Sequence, residues 1–477
     1  MDEDLLFRLL SRADDFNRAN WSESIEFDNR DFSSATPKLT QLARLVVQCP
    51  VRFSRCTFPV GFSCEQTDFR QHVTFEGCTF AGSTSFIGTQ FRDGASFDLS
   101  TFCDLADFTN CHVQRTLTAR RAIFRRGANV VPQWHGNWNF QASRFADDLR
   151  FGGSVKGLSL ENAVFHATVN LSGLTADNVF LRCARIRGPL HMSSLNCSGA
   201  VSLTAAWLGG GLIGTGVVAR GTFGAEEAKV HGEMDLSSSG ESAFPRSSFR
   251  GARILGKLDL SNRDFSEAAS FEECYLGKAP SFHTCKLHQD TSFDDAEFPD
   301  IASQDAERCY RTLKLAMSSH QAYREELLFF ALEMKSRAIQ EPNPAVKVLY
   351  WLYENTSDFG RSVKRPLIWL AGLIVASAVV YALIFELPIV IDCADSPGCK
   401  LAFKSDRLAA IVSLSLHESL PFIGLLKEGA SKSTDLLVGV GSGIPIAAQL
   451  WAIAQGVASV FLVFLVALGL RNLFRLK

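Results

Sequence analysis

The side chains best placed for chemistry lie in an apolar stretch near the C-terminus. Residues 408–426, LAAIVSLSLHESLPFIGLL, are apolar for nineteen positions except Ser413, Ser415, His417, Glu418 and Ser419. A carboxylate in such surroundings attracts cations, and a neighbouring histidine changes charge near neutral pH, so this pair could draw ions and respond to protons. Glu418 also fits an interfacial helix cap, paired with Lys427 or a lipid headgroup, and both readings stay open. Cys393 and Cys399, in CADSPGC, could close a local disulfide in an oxidising compartment. The other eleven of the 13 cysteines have no paired CxxC spacing and read as reduced core residues, not metal ligands. His72, His112, His135 and His166 show no metal spacing either. The chain has no P-loop, no HExxH, no GxSxG and no G-x-G-x-x-G between a strand and a helix. We expect no enzyme, no metal and no cofactor.

Two uncharged runs flank the His-Glu stretch and must position it. Residues 366–385, PLIWLAGLIVASAVVYALIF, are twenty without a charge, matching a hydrocarbon core about 30 Å thick. Residues 436–470 are thirty-five without a charge; GVGSGIP (439–445) leads into a second span at 446–470. We place the first span at 366–388 and the membrane domain at 366–477. Arg361, Lys364 and Arg365 precede the first span, and Arg471, Arg475 and Lys477 follow the second, which puts both ends in the cytoplasm. The start, MDEDLLFRLL, is acidic and amphipathic, so no signal peptide is expected.

A third full span at 408–426 would carry the basic tail outside and place Glu418 in lipid, at a cost of about 3 kcal/mol. A re-entrant helix with a returning strand avoids both. Non-helical backbone at that depth survives only inside protein or along water, which implies an oligomer around an aqueous path. Ala448, Ala452 and Gly456 recur every four residues, a small-residue stripe for close helix packing. Gln449 and Gln455 either face the path or bond between helices.

Span, re-entrant segment, span is similar to the two-helix pore domain of the potassium-channel-like superfamily. The resemblance implies a symmetric homo-oligomer, a tetramer by analogy, conducting ions, cations first. Its pore segment would comprise Ser413, Ser415, His417, Glu418 and Ser419, then Pro421, Phe422 and Gly424. No TVGYG is present; SLPFIGL stands at 419–425, so potassium selectivity does not carry over.

Upstream, Phe makes up 38 of 477 residues and is not spread evenly. Phe53, Phe58, Phe69, Phe75, Phe80, Phe86, Phe91, Phe97, Phe102 and Phe108 follow alternating steps of five and six, with Cys64 and Val113 completing the series. The arithmetic returns from Phe249 to Phe298, and more loosely through Leu160, Phe165, Leu171, Leu181, Ile186 and Met192. On a helix these steps rotate by roughly 140° and 240°, scattering the rings. On one long strand a step of five would alternate faces. The chain must therefore turn a corner within every unit.

In Val73-Thr74-Phe75-Glu76-Gly77 a small residue leads the large one by two positions and a turn former trails it by two. This resembles the pentapeptide-repeat family, which implies a right-handed quadrilateral β-helix with stacked inward rings. Cys56, Cys78, Cys111, Cys274 and Cys285 fall in the small leading slot and read as packing residues. At 22 residues per coil, about 250 residues give about eleven coils and a rod roughly 55 Å long.

We assign 1–48 to an N-terminal helical cap, 49–300 to the β-helix, 301–341 to a helical hairpin collar and 342–365 to an interfacial linker helix. The linker carries Tyr350, Trp351 and Tyr353, aromatics suited to a lipid interface. The collar reads Tyr310-Arg311-Thr312-Leu313-Lys314 with Glu333-Met334, and is similar to that of a bacterial group joining pentapeptide repeats to such a pore domain. That resemblance implies a multi-pass protein of the bacterial inner membrane, a permeability effector whose β-helix serves as a cytoplasmic sensor or scaffold for an unknown partner. The opposing readings are a membrane-tethered scaffold without conduction, or a DNA mimic. Residues 50–300 hold 24 basic and 26 acidic side chains, little field for mimicry. The whole-chain balance of -2 leaves nucleic acid unexpected as a partner.

Overall fold

The computed structural model describes residues 24–32, 42–133, 136–238, 240, 243–385, 390–392, 400–402, 405–420, 427–438 and 444–475. Two compact units result, Met1–Ala316 and Met317–Lys477.

The first unit is a parallel β-solenoid of about eleven turns. Short strands stack into long parallel sheets along four faces, one of them eleven strands with one strand per turn. Val51–Ser54 pairs with Val73–Glu76, and Thr57 with Thr79, in a register of 22 residues. Two kinds of corner explain the alternating steps. In the five-residue step a tight turn places its third residue at positive φ, as at Gly77 (64°), Leu99 (62°) and Arg121 (57°). In the six-residue step the chain bends through one extra residue, as at 81–84 between Phe80 and Phe86. Two corners of each kind close a coil of 22 residues. Inside, Phe53, Phe75 and Phe97 stack 5.1 and 5.0 Å apart, nearly parallel, and Phe80, Phe102, Phe124 and Phe145 continue a second ladder at 4.7, 4.7 and 4.5 Å. A single coil exposes its rings, so burial comes only from stacking neighbours.

The loosened middle of the pattern has a physical cause. Trp138 pairs with Leu158 in a register of only 20 residues. There the corner straightens, and Ser154–Ser159 and Thr175–Phe180 run as single six-residue strands across it. Farther on, residues inserted after Leu236 stretch the register to 24, as between Lys229 and Arg253.

Both ends of the solenoid depart from the sequence-based boundaries or define them more closely. Ile25–Asp28, expected within a helical cap, is a strand paired in parallel with Val51–Ser54. Its alternation Ile-Glu-Phe-Asp buries Ile25 and Phe27, and Phe27 stacks on Phe53 at 5.1 Å. Val46–Val47, within the same expected cap, is a strand paired in parallel with Asp68–Phe69, and residues 1–23 and 33–41 lie outside the described residues. At the other end helix α1 (Ala306–Ser319) lays Tyr310 edge-on to Phe298, and the Tyr310 hydroxyl donates to Asp300 O at 2.6 Å. Burial pushes that phenol well above its ordinary pKa.

The second unit is helical. α2 (Tyr323–Gln340) and α3 (Pro344–Ser357) precede α4 (Lys364–Ile384). A short antiparallel pair, Val390–Asp392 with Lys400–Ala402, leads to α5 (Ser405–Ser419), α6 (Lys427–Val438) and α7 (Ile446–Arg475). α4 and α7 are long and apolar enough to cross a membrane. Their outward faces are bare hydrocarbon: Ile368, Val375 and Leu383 on α4, and Leu450, Ile453 and Val457 on α7, are all more than 60 % exposed.

Candidate functional site

α5 carries most of the expected pore segment and is anchored between the two long helices. Its apolar side, Ile411 and Leu414, packs with Tyr381 of α4 and Ala448 of α7, and Trp451 lies against this cluster. Polar side chains then fix the register. Ser415 Oγ donates to Ile374 O of α4 at 2.7 Å. Gln455 of α7 donates from Nε2 to Ser415 O at 2.8 Å and to Ser419 Oγ at 2.6 Å, and its Oε1 accepts from Tyr381 OH at 3.0 Å. Gln455 and Tyr381 are 1 % exposed, and Ser415 and Ser419 are fully buried. One amide thus joins three helices. Buried amides and hydroxyls are costly without partners, so the set acts as a positional lock.

The small-residue stripe faces this seam. Ala448 is buried in the apolar cluster, and a Cβ added at Gly456 would sit 4.0 Å from Glu418 O. Gln455 bonds between helices, whereas exposed Gln449 donates to Ile444 O at the start of α7. Ser377 Oγ and Trp451 Nε1 are buried with no hydrogen-bond partner among the described residues.

His417 and Glu418 close α5. His417 Nδ1 and Glu418 Oε1 are 3.3 Å apart, and their side chains are 18 % and 31 % exposed, respectively. Ser413 is half-buried on the same helix. Pro421, Phe422, Gly424, Cys393 and Cys399 lie outside the described residues. The expected returning strand falls at 421–426, outside the described residues, and residues 427–438 after it are helical, in keeping with Lys, Glu, Ala and Leu and no β-branched run.

At the other end of α4, a turn the sequence reading passed over ties four helices together. Asp358, Phe359 and Gly360 have consecutive φ values of 49°, 55° and 84°. Lys335 Nζ of α2 approaches Asp358 at 3.3 Å, Arg361 and Arg365 lie 3.8 and 3.9 Å from it, and Asn472 of α7 donates to Gly360 O at 3.1 Å. Phe359 is buried edge-on to Tyr353 of α3 at 5.2 Å. Trp351, Val348 and Leu349 of α3 are more than half exposed. The signal for this turn was Asp-Phe-Gly directly after an aromatic helix; the signal for the lock was a tyrosine midway along an otherwise hydrocarbon span.

No curated protein matches the chain, and no solved structure matches it. Residues 65–112 match the family model for pentapeptide repeats, in nine copies, and through that stretch the solenoid is similar to that family.

Proposed function

We propose that the protein is an oligomeric ion channel or permeability effector of a bacterial inner membrane, with cations as its first cargo. In this reading α4 and α7 cross the bilayer, and four copies, by analogy, surround an aqueous path. The solenoid, right-handed by its resemblance, serves in the cytoplasm as sensor or scaffold. The observation that carries this reading is α5. At 15 residues it extends about 22 Å, short of a hydrocarbon core about 30 Å thick, yet its polar residues are locked between two helices long enough to span one. A short helix held at that depth and followed by α6 fits a segment that dips in and returns. The bare apolar faces of α4 and α7 fit lipid contact, and the basic groups at Arg361, Lys364, Arg365 and Arg471 fit a cytoplasmic boundary.

His417 and Glu418 then stand at the mouth of the path, where a ring of carboxylates would concentrate cations. Flux from the full-length protein in liposomes tests this directly. We expect cation flux that exceeds anion flux, with Glu418→Gln reducing the preference. Membrane-inserted protein that passes no ions would leave the tethered scaffold as the function.

A further inference from the structure

The charge balance of the chain averages over faces that differ sharply. On the eleven-stranded sheet one outward position repeats in register through every coil. Its residues run Thr57, Thr79, Thr101, Ile123, Arg144 and Val164, and then Arg185, Trp207, Lys229, Arg253 and Tyr275. No acid occurs among these eleven positions, and the same register meets Asp31 before Thr57 and Glu297 after Tyr275, at the two ends of the row. The next outward position adds Arg125, His166, Arg187 and His231. From the Ile123 strand to the Arg253 strand the stripe is about 29 Å long, at about 4.8 Å per coil.

Some arginines elsewhere on the solenoid are paired, as Arg120 with Asp98 and Arg182 with Glu161, both at 2.6 Å, while Arg121, Arg126 and Arg150 form no ion pair among the described residues. Arg125, Arg144, Arg185, Arg187, Lys229 and Arg253 form no ion pair among the described residues. A groove of about 780 Å³ runs along the stripe, with Arg185, Arg187 and Lys229 against the single acid Glu227. Aromatic rings interleave with the cations. Trp207 lies over Gly209, where a Cβ would come within 2.8 Å of its ring, and its centroid is 5.2 Å from that of His231. Arg253 sits 4.4 Å above the Tyr275 ring.

We infer that this face binds a single-stranded nucleic acid. Unpaired cations along a straight row supply the electrostatic track, and half-exposed rings between them supply stacking surfaces for bases, which neither an acidic peptide nor a lipid headgroup would use. The inference is independent of conduction, since every residue involved belongs to the solenoid.

The test is fluorescence anisotropy of labelled oligothymidylate, about 15 nucleotides long, with the full chain in detergent from about 50 to about 200 mM KCl. Arg185→Gln/Lys229→Gln/Arg253→Gln should weaken binding at least about tenfold and lower the salt slope by about 2, at about 0.7 per phosphate. Trp207→Ala should weaken it about 5- to 100-fold with the slope unchanged, and Trp207→Phe should restore part of the loss. The charge-matched Arg52→Gln/Arg115→Gln/Arg150→Gln should bind like the parent. Equal binding by the two triple variants would overturn the proposal. So would displacement by polyglutamate or by phosphatidylglycerol vesicles at equal charge with Trp207→Ala silent, outcomes that assign the stripe to an acidic protein or to lipid.

Discussion

Ser100 Oγ donates to the carbonyl of Phe75 at 2.6 Å and accepts from the N–H of Cys78 at 2.9 Å, so one hydroxyl bridges both ends of the turn in the coil before it. The relationship recurs at the small leading slot: Thr89 Oγ1 reaches Cys64 O at 2.7 Å, Cys111 Sγ reaches Phe86 O at 2.9 Å and Cys285 Sγ reaches Leu260 O at 2.8 Å. Size alone does not fill this slot; a donor there satisfies a buried carbonyl.

Ser100→Ala therefore strands two backbone groups. It should destabilise the solenoid by about 1–3 kcal/mol, with Ser100→Thr close to the parent. Denaturant unfolding followed by circular dichroism reads the difference, and an alanine variant as stable as threonine would show the bridge to be dispensable.

The tight corners hold non-glycine residues at positive φ, Leu99 at 62° and Ala142 at 60° among them. Leu99 is 53 % exposed, so its side chain contributes little packing while its backbone bears the left-handed conformation. Leu99→Gly should leave stability unchanged or raise it by about 0.5–1 kcal/mol, against the usual cost of glycine in a strand-rich element. The same unfolding measurement checks it; a loss above about 1 kcal/mol would place the burden on the leucine side chain.

Burial pushes the Cys274 thiol up to about 12 and the Cys285 thiol up to about 11. A thiol kept protonated by folding contributes its stability in full below the unfolded value, near 8.5, and loses it as pH rises through the folded value. The solenoid should thus lose stability between about pH 9 and 12, and Cys274→Ala should flatten that decline. At about pH 8, peptide mapping after brief iodoacetamide treatment should find Cys183, which is exposed, modified and Cys274 intact.

Legibility in the sequence followed repetition. Phe53, Phe75 and Phe97 announce a 22-residue coil because an identical environment recurs at each turn. The leading slot was equally visible, but its chemistry was not, since Cys, Ser and Thr look alike as small residues until Phe75 O is seen facing one. Arg263 shows the limit. It occupies that same slot two residues before Phe265, 1 % exposed, and donates to Leu236 O at 2.6 Å, Val217 O at 2.8 Å and Ser237 O at 3.2 Å. The register there is stretched to 24 residues, and burial of the guanidinium lowers its pKa to about 10, so it stays charged at neutral pH. The apolar spans were plain from the absence of charge over 366–385, whereas the lock between them joins Tyr381 to Gln455 across 74 residues, a distance no local pattern encodes.

That lock makes the final prediction. Gln455→Leu keeps the volume of the side chain but leaves the Tyr381 hydroxyl without its acceptor, and removes donors to Ser415 O and Ser419 Oγ. Each buried group left unsatisfied costs about 1–3 kcal/mol, so α5 should loosen from α4 and α7 before either long helix unfolds. Tyr381→Phe removes one bond only and should cost less. Because both changes act on one network, the double variant should lose less than the two single losses combined, by about 0.5–3 kcal/mol. Thermal unfolding in detergent measures that coupling, and protease sensitivity at 405–438 locates it. Strict additivity would mean that Tyr381 and Gln455 pack side by side without acting together, and α5 would then need another anchor.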